Sequence, residues 1–578
     1  MSEASRKSLT RRIVALHVFF VLVFGVIAAR AVDLQVLNGA MLDRQARKQW
    51  QASRDTIPTR GVIYDAKYRE LAVSLDVSSI AARPFMMEDA EAAAGLLAGS
   101  LNLSRERVAR RLASGHSFVW LKRHATPQEV RAVQELSLEG IEFVPEKRRY
   151  YPNRGVAAQV LGFCGVDGQG LEGLEFQFDE VLSADGFSMP VVRDARGGTI
   201  SRGISQSGGK NAANLVLTID RTIQYLAEDA VREVVDRFGA KSGMAVVMEP
   251  DTGAVLAMVN VPGINPNAIL DYTAEQWRNR TVTDMFEPGS TMKVFLAASA
   301  LESGGLAADT PFFCENGMYD VSGKVVHDSH AYGWLSLAQV VKYSSNIGAV
   351  KIEQKIGQDR LYKTLTDFGF GERTGVQCPG ETAGILRHVA QWTTVDAGNI
   401  AFGQGISVSC LQLATALSAI ANGGVLMRPL LVQGILDDSG SLVSTYRPTT
   451  VRRAVSARTA MMVNRIMRTV TNPDGTGELA RLEGYTVCGK TGTAQKVSVN
   501  GGYSSDLHVA SFAGFAPADD PRITVVVVVD EPEKNVYGGV VAAPAFKKIC
   551  EKTLQYLNVP PDAGETRRTA WLEVEDSA

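Results

Sequence analysis

Glu287-Pro288-Gly289-Ser290-Thr291-Met292-Lys293, continuing as Val294-Phe295-Leu296-Ala297-Ala298, is the stretch from which the rest of the chain can be read. Pro288-Gly289 marks a turn, and the residues after it favour helix as far as Gly304. Ser290 is thereby placed at a helix N-terminus, with Lys293 at i+3 on the same face. That spacing has a chemical use. A serine hydroxyl is inert until a base takes its proton, and a neutral, desolvated lysine is such a base. The helix N-terminus adds positive potential and a backbone N–H for a developing oxyanion. S-x-x-K alone is a weak pattern, since an N-capped helix with an exposed lysine explains it equally.

Two further patterns lift it. Ser344-Ser345-Asn346 lies in Lys342-Tyr343-Ser344-Ser345-Asn346-Ile347-Gly348, and Lys490-Thr491-Gly492-Thr493 lies on a predicted strand with Thr486-Val487-Cys488-Gly489. Each is common alone, one as a helix cap and the other as a loop. Their order after S-x-x-K, at intervals of 54 residues (344 − 290) and 146 residues (490 − 344), is the specific signal.

Working outward, Leu215–Ile219 reads as a short strand and Gln224–Arg237 as a helix. Ala245–Glu249 and Ala254–Val259 flank Pro250-Asp251-Thr252-Gly253, a hairpin signal. Residues 290–425 are mainly helical, and strands return near Thr486–Gln495, Val509–Phe515 and Ile523–Asp530. Strands at both ends with helices between them predict one sheet built from both ends and a helical lobe inserted in it. The five valines at 525–529 are a buried central strand, because five residues cannot span a bilayer.

At 578 residues the chain is longer than one core normally serves. Its net charge of −2 gives no footprint for nucleic acid. Arg6, Lys7, Arg11 and Arg12 precede an apolar run from Ile13 to Ala29 that spans roughly 26 Å as a helix, near the lower limit for crossing a bilayer. The basic residues orient the N-terminus inward and the remainder outward. Ala29-Arg30-Ala31 would also suit a cleaved signal peptide, but the run is long and a helix continues from Ala31 to Trp50, so a retained single-pass anchor is favoured. Residues 33–55 are expected to be helical, 56–75 to form a strand, turn and strand, and 88–140 to carry broken helices. The polar stretch from Ser205 to Asn214 reads as a boundary, and the polar end of the chain from Pro560 as loosely ordered.

Six cysteines are scattered with no zinc-ligand spacing, so buried free thiols are expected although an oxidising compartment would permit disulfides. His327 and His330 form an H-x-x-H without two further ligands, a loop coincidence rather than a metal site. His508 is expected to be structural, and Cys488 to pack on the strand face shared with Lys490. No metal or cofactor is expected.

With these residues in view, the chain resembles the penicillin-binding protein and serine β-lactamase superfamily, specifically a class B penicillin-binding protein of the cell-division type. Arg278-Asn279-Arg280, Gly403-Gln404-Gly405 with Leu411-Gln412-Leu413, and Ser511-Phe512-Ala513-Gly514-Phe515-Ala516-Pro517 also resemble family segments. So do Arg60-Gly61-Val62-Ile63-Tyr64-Asp65 and Gly170-Leu171-Glu172-Gly173-Leu174-Glu175 near the N-terminus. After Asp65 the family usually has Arg-Asn-Gly, whereas this chain reads Ala66-Lys67-Tyr68 and lacks the turn glycine.

The resemblance implies an α+β transpeptidase domain, with a central antiparallel sheet, helices and a helical lobe, at 211–556. A cytoplasmic tail (1–12), a membrane anchor (13–32) and an elongated α+β pedestal of dimerisation type (33–210) would precede it, and a tail (557–578) follow. It implies that Ser290 attacks the penultimate D-alanine carbonyl of a peptidoglycan stem and that Lys293 accepts its proton. Ser344 would pass a proton toward the leaving amine, and Asn346 would hold a substrate amide. Lys490 would attract the terminal carboxylate, with Thr491, Gly492 and Thr493 lining that subsite and the N–H groups of Ser290 and Thr493 forming the oxyanion hole. A second stem's amine then resolves the ester, and β-lactams acylate the same serine. A hydrolase of the same superfamily and a non-catalytic antibiotic sensor are the rival classes. No glutamate motif for a deacylating water is recognised between the S-x-N and K-T-G segments, and a sensor needs further membrane spans. No acidic glycosyltransferase motif precedes the domain, so glycan polymerisation would fall to a membrane-embedded polymerase, with other division proteins as further implied partners. The implied location is the cytoplasmic membrane, with the catalytic domain on its periplasmic side and septal wall synthesis as the task.

Overall fold

A computed structural model describes residues 3–55, 59–184, 188–193, 199–202, 211–497 and 502–562. Of the boundary expected from Ser205 to Asn214, residues 205–210 lie outside the described residues, as do 563–578 of the end expected from Pro560 and 56–58 of the strand-turn-strand segment. Contacts divide the chain into two compact units, Met1–Pro58 with Asp185–Lys210, and Thr59–Ala184 with Asn211–Ala578.

In the first unit, helix Glu3–Val32 carries the apolar run and is long enough to cross a membrane. The expected helix over 33–55 is not continuous. A π-helical turn, Asp33–Leu37, is followed by helix Gly39–Trp50 and then strand Gln51–Asp55. The break falls at Asn38, whose side chain donates to Asp33 Oδ1 (2.7 Å) while Gly39 opens the next helix. Gln51–Asp55 pairs antiparallel with Ser188–Arg193, a partner too distant in sequence for any local pattern to announce.

The second unit is built on a five-stranded antiparallel sheet in the order Val255–Val261, Ser242–Met248, Ile523–Asp530, Tyr503–Ala516, Cys488–Val497. The two ends of the chain meet where Val525 pairs with Val247. The valine run is central and buried on both faces. Val526 and Val528 face a core with Met244, Phe295 and Leu411, while Val525, Val527 and Val529 face one with Ala227, Val231 and Phe546. Burying each valine contributes about 1.5–3 kcal/mol relative to exposure. Helices Arg221–Phe238 and Ala543–Tyr556 cover the second face, the first capped by Asp220 Oδ1 accepting from Thr222 N (2.7 Å). The lobe at 290–425 is helical as expected, with two small two-stranded sheets added, Pro311–Phe313 with Trp334–Ser336 and the hairpin Met318–Val321 with Lys324–His327.

A second sheet, of seven strands, joins N-terminal to C-terminal segments. Glu70–Ala82 pairs with Ile63–Tyr64, Val119–Ala125 and Ile141–Tyr150, while Ile63–Tyr64 runs parallel to Asn214–Leu217, which pairs with Val432–Leu436. Arg60 and Glu175, from the two N-terminal segments that resemble the family, form a buried ion pair (Nε to Oε2 2.6 Å).

The turn without its glycine is made all the same. Asp65 accepts from Lys67 N and Arg69 N, and Tyr68 takes the left-handed conformation at φ +58°. A non-glycine there costs about 1–2 kcal/mol, of which the extra freedom of an unfolded glycine would return about 0.5–1. Tyr68→Gly is therefore expected to stabilise the protein by about 0.5–1 kcal/mol in denaturant titration. A loss of stability would show that the exposed ring, 6.4 Å from that of Tyr64, matters more than the backbone.

Candidate active site

Gly289–Met292 forms a 3-10 turn that runs directly into helix Lys293–Glu302. Gly289 has φ +55°, and a Cβ there would lie 2.9 Å from the Thr493 carbonyl oxygen. Gly403, at φ +87°, is tighter still, because its Cβ would come within 2.0 Å of the Gly289 oxygen. Gly289 N donates to Gly403 O (3.0 Å), so the Gly403-Gln404-Gly405 segment backs the turn and sets Ser290 beside the Lys490-Thr491-Gly492-Thr493 strand.

Lys293 is fully buried, and its Nζ lies 2.9 Å from Ser290 Oγ. It also donates to the Ser344 carbonyl (2.7 Å), to Asn346 Oδ1 (2.7 Å) and to Ser344 Oγ (3.3 Å). Burial pushes its pKa down to about 7, against the opposing pull of Asp328. Near neutrality a large share of this amine is unprotonated and able to take the hydroxyl proton of Ser290.

Ser344 sits between two helices, Leu337–Tyr343 and Asn346–Ile356. A reciprocal Ser336/Gln339 capping box starts the first, and Ser345 Oγ, accepting from Gly348 N (2.8 Å), starts the second. Ending one helix and beginning the next within three residues forces Ser344 to φ +64°. Its hydroxyl is shared by Lys490, whose Nζ reaches Ser344 Oγ at 3.0 Å. Lys490 is also fully buried, and burial followed by the neighbouring Lys293 hold its pKa well below the ordinary lysine value. Ser290, Lys293, Ser344, Asn346 and Lys490 are thus joined by one network of hydrogen bonds.

The network floors a cleft of about 700 Å³ lined by Ser290, Ser344, Asn346, Thr491, Thr493 and Tyr537, among others. Thr491 Oγ1 bonds Thr476 Oγ1 (3.1 Å), and Thr493 Oγ1 accepts from Gly538 N (3.1 Å). Gly492 points away from it, where a Cβ would strike Ser511 Oγ at 2.2 Å. The Asn346 amide, expected to hold substrate, is already engaged on both sides, by Lys293 and by the His327 carbonyl (3.1 Å from Nδ2).

His327 enters the site through its backbone and His330 lines the cleft; among the described residues no group of three metal-ligating side chains occurs. His508 Nδ1 contacts Asp506 O (3.3 Å) in its own strand. Cys488 Sγ packs against Asn464 Oδ1 (2.9 Å), and all six cysteines are free, five of them buried. Sequence reasoning missed Asp328, which accepts from the Ser345 hydroxyl and the Asn346 backbone N–H, and Glu287, which accepts from Gly405 N (2.9 Å) and Tyr503 OH (3.1 Å). Neither lies in a recognisable motif, though Glu287 stands three residues before Ser290.

Comparison with known proteins identifies the family. A family model described as the penicillin binding protein transpeptidase domain matches residues 243–551, and one described as the penicillin-binding protein dimerisation domain matches residues 55–217. The chain is 35% identical to a probable peptidoglycan D,D-transpeptidase PenA of Neisseria meningitidis, over 93% of this chain and 91% of that one. It is 34% identical to the peptidoglycan D,D-transpeptidase FtsI of Escherichia coli K12, over 92% and 90% of the two chains. Among solved structures, penicillin binding protein 3 of Mycobacterium tuberculosis complexed with aztreonam matches with a TM-score of 0.68 at 28% identity, over 88% of this chain and 98% of that one.

Proposed function

Because this chain belongs to the penicillin-binding protein transpeptidase family, as a class B peptidoglycan D,D-transpeptidase, we propose that Ser290 is its acyl-forming nucleophile and septal wall synthesis its task. The observation that carries the assignment of residues is the fully buried Lys293 Nζ at 2.9 Å from Ser290 Oγ. Lys293 takes the proton of Ser290 as the hydroxyl attacks the penultimate D-alanine carbonyl. Ser344, bonded to both lysines, relays a proton to the departing D-alanine amine. Asn346 holds Lys293 with its oxygen and presents its remaining amide proton to substrate. Lys490, without a counter-charge among the described residues, gains one when the terminal carboxylate arrives beside Thr491 and Thr493. The N–H groups of Ser290 and Thr493 receive the oxyanion.

In this reading 33–210 forms the pedestal and 211–556 the catalytic domain, held on the outer face of the membrane by the N-terminal helix. Glycan strands come from a membrane-embedded polymerase that contacts the anchor. Replacing residues 1–32 with an unrelated anchor is expected to abolish co-purification with that polymerase, and undiminished co-purification counts against it. The septal assignment is supported by the Ser344-Ser345-Asn346-Ile347-Gly348 segment, which resembles the division type more than the elongation type. Depleting the protein should give filaments with undivided septa, whereas rounded cells would place it in elongation. A thioester donor supplied with and without a D-amino-acid acceptor separates transfer from hydrolysis. Product partition that ignores the acceptor would favour a carboxypeptidase or β-lactamase.

A further inference from the structure

Asp328 belongs to none of the three motifs, yet it touches the centre of the site. It sits at the end of hairpin strand Lys324–His327, is half-buried, and spends its carboxylate on one short segment. Oδ2 accepts from Ser345 Oγ (2.5 Å), and Oδ1 accepts from the backbone N–H groups of Asn346 (2.5 Å) and Ile347 (3.1 Å). The residue before it completes the hold. The His327 carbonyl accepts from Asn346 Nδ2 (3.1 Å), which fixes the amide so that Oδ1 faces Lys293 Nζ at 2.7 Å.

The electrostatic setting is one-sided. Lys293 and Lys490 are both fully buried and share the hydroxyl of Ser344. Among the described residues Lys490 has no acidic partner, and the negative group that opposes the desolvation of Lys293 is Asp328. The other titratable groups around Asp328 are Cys314, whose Sγ lies 3.4 Å from Ser345 Oγ, and Tyr332, stacked on Tyr343. Burial and then, among the charges, Asp328 push both of these pKa values up, so they remain neutral. Glu315 and Lys351 pair with each other. His327 and His330 flank Asp328 on the chain.

We propose that Asp328 is a positioning residue of the transpeptidation centre: its carboxylate locks the Ser344–Asn346 turn around Lys293 Nζ and supplies the negative charge that this buried amine otherwise lacks. Without the lock, the Asn346 amide and the Ser344 carbonyl are free to leave the lysine. Without the charge, Lys293 loses its proton more readily, so a base that is half neutral near pH 7 becomes neutral at lower pH. The inference rests on Lys293 acting as the base for Ser290.

The test is the second-order rate of acylation by a fluorescent penicillin, measured against pH on the full-length protein in detergent. In the wild type the rate rises through an acid limb near pH 7, where Lys293 becomes neutral. Asp328→Asn keeps an oxygen for the Asn346 and Ile347 amides and removes the charge. Its acid limb is expected to move down by about 0.5–1 pH unit, with the plateau rate reduced less than about tenfold. Asp328→Ala removes the lock as well, and its plateau is expected to fall by about 10²-fold. A purely structural Asp328 would lower the plateau or the melting temperature and leave the limb in place. An Asp328→Asn limb that superimposes on the wild type therefore overturns the proposal. The position of a limb does not depend on how much of the sample is folded, so partial instability does not blur the result. Penicillin labelling that survives Ser290→Ala sinks the underlying reading instead, whatever Asp328 does.

Discussion

Ser290→Ala is expected to abolish covalent labelling by a fluorescent penicillin, and Lys293→Ala to slow it by about 10²–10⁴-fold. The two losses differ in kind because the two side chains do. Without Oγ the hydroxyl placed at the start of helix Lys293–Glu302 to form the ester is gone. Without Nζ the hydroxyl is still present, but it must surrender its proton to water. The structure makes the second loss large, because Nζ is the atom on which Ser290 Oγ, Ser344 Oγ, the Ser344 carbonyl and Asn346 Oδ1 converge. Lys293→Ala also opens a hole under the cleft, so its melting temperature has to be read beside its acylation rate. A well-folded Lys293→Ala protein that acylates within about tenfold of the wild type would remove the lysine from the chemistry. Labelling of Ser290→Ala at any comparable rate would remove the serine, and the assignment with it.

Much of this site can be read without coordinates, for a definite reason. Ser290 and Lys293 are one helical turn apart, Ser344 and Asn346 share a helix junction, and Lys490 with Thr491 and Thr493 share a strand. Each group is local, and what brings the groups together is the sheet whose central strand, Ile523–Asp530, announces itself by its valines. Asp328 was invisible because its importance comes from three donors at 345–347, and no spacing rule links an aspartate to a helix N-terminus 17 residues on. The break at Asn38 was missed because residues 33–55 contain no proline, while strand Gln51–Asp55 owes its conformation to a partner at 188–193. Tyr68 shows the opposite case. The absent glycine was noticed, but the backbone keeps the left-handed turn because Asp65 caps it and Arg69 closes it.

Far from the cleft, Glu175→Ala is expected to cost about 3–5 kcal/mol of stability, read from guanidinium unfolding of the full-length protein in detergent. Glu175 is fully buried between two arginines, with Oε2 2.6 Å from Arg60 Nε and Oε1 2.6 Å from Arg149 Nε. Arg60 has a second carboxylate, Asp179 at 2.6 Å, but among the described residues Arg149 bonds only the Gly61 carbonyl beyond Glu175, and its Nη2 is already buried there without a partner. Truncation therefore strands a guanidinium in the interior, and the desolvation penalty far exceeds the worth of the lost contact. Glu175→Gln fills the same space without the charge and should cost less than the alanine, though more than a surface change. Acid provides a second readout. Burial alone would raise the Glu175 pKa, but Arg149 and Arg60 outweigh it and hold the carboxyl below its ordinary value of 4.5. A folded pKa below the unfolded one means that the stabilisation is complete above about pH 4.5 and is lost as pH falls through the folded value. The gap between wild type and Glu175→Gln should accordingly narrow in acid. A cost for Glu175→Ala below about 1 kcal/mol would mean that the arginines find water or other partners, and that the two N-terminal segments are not held together by this pair.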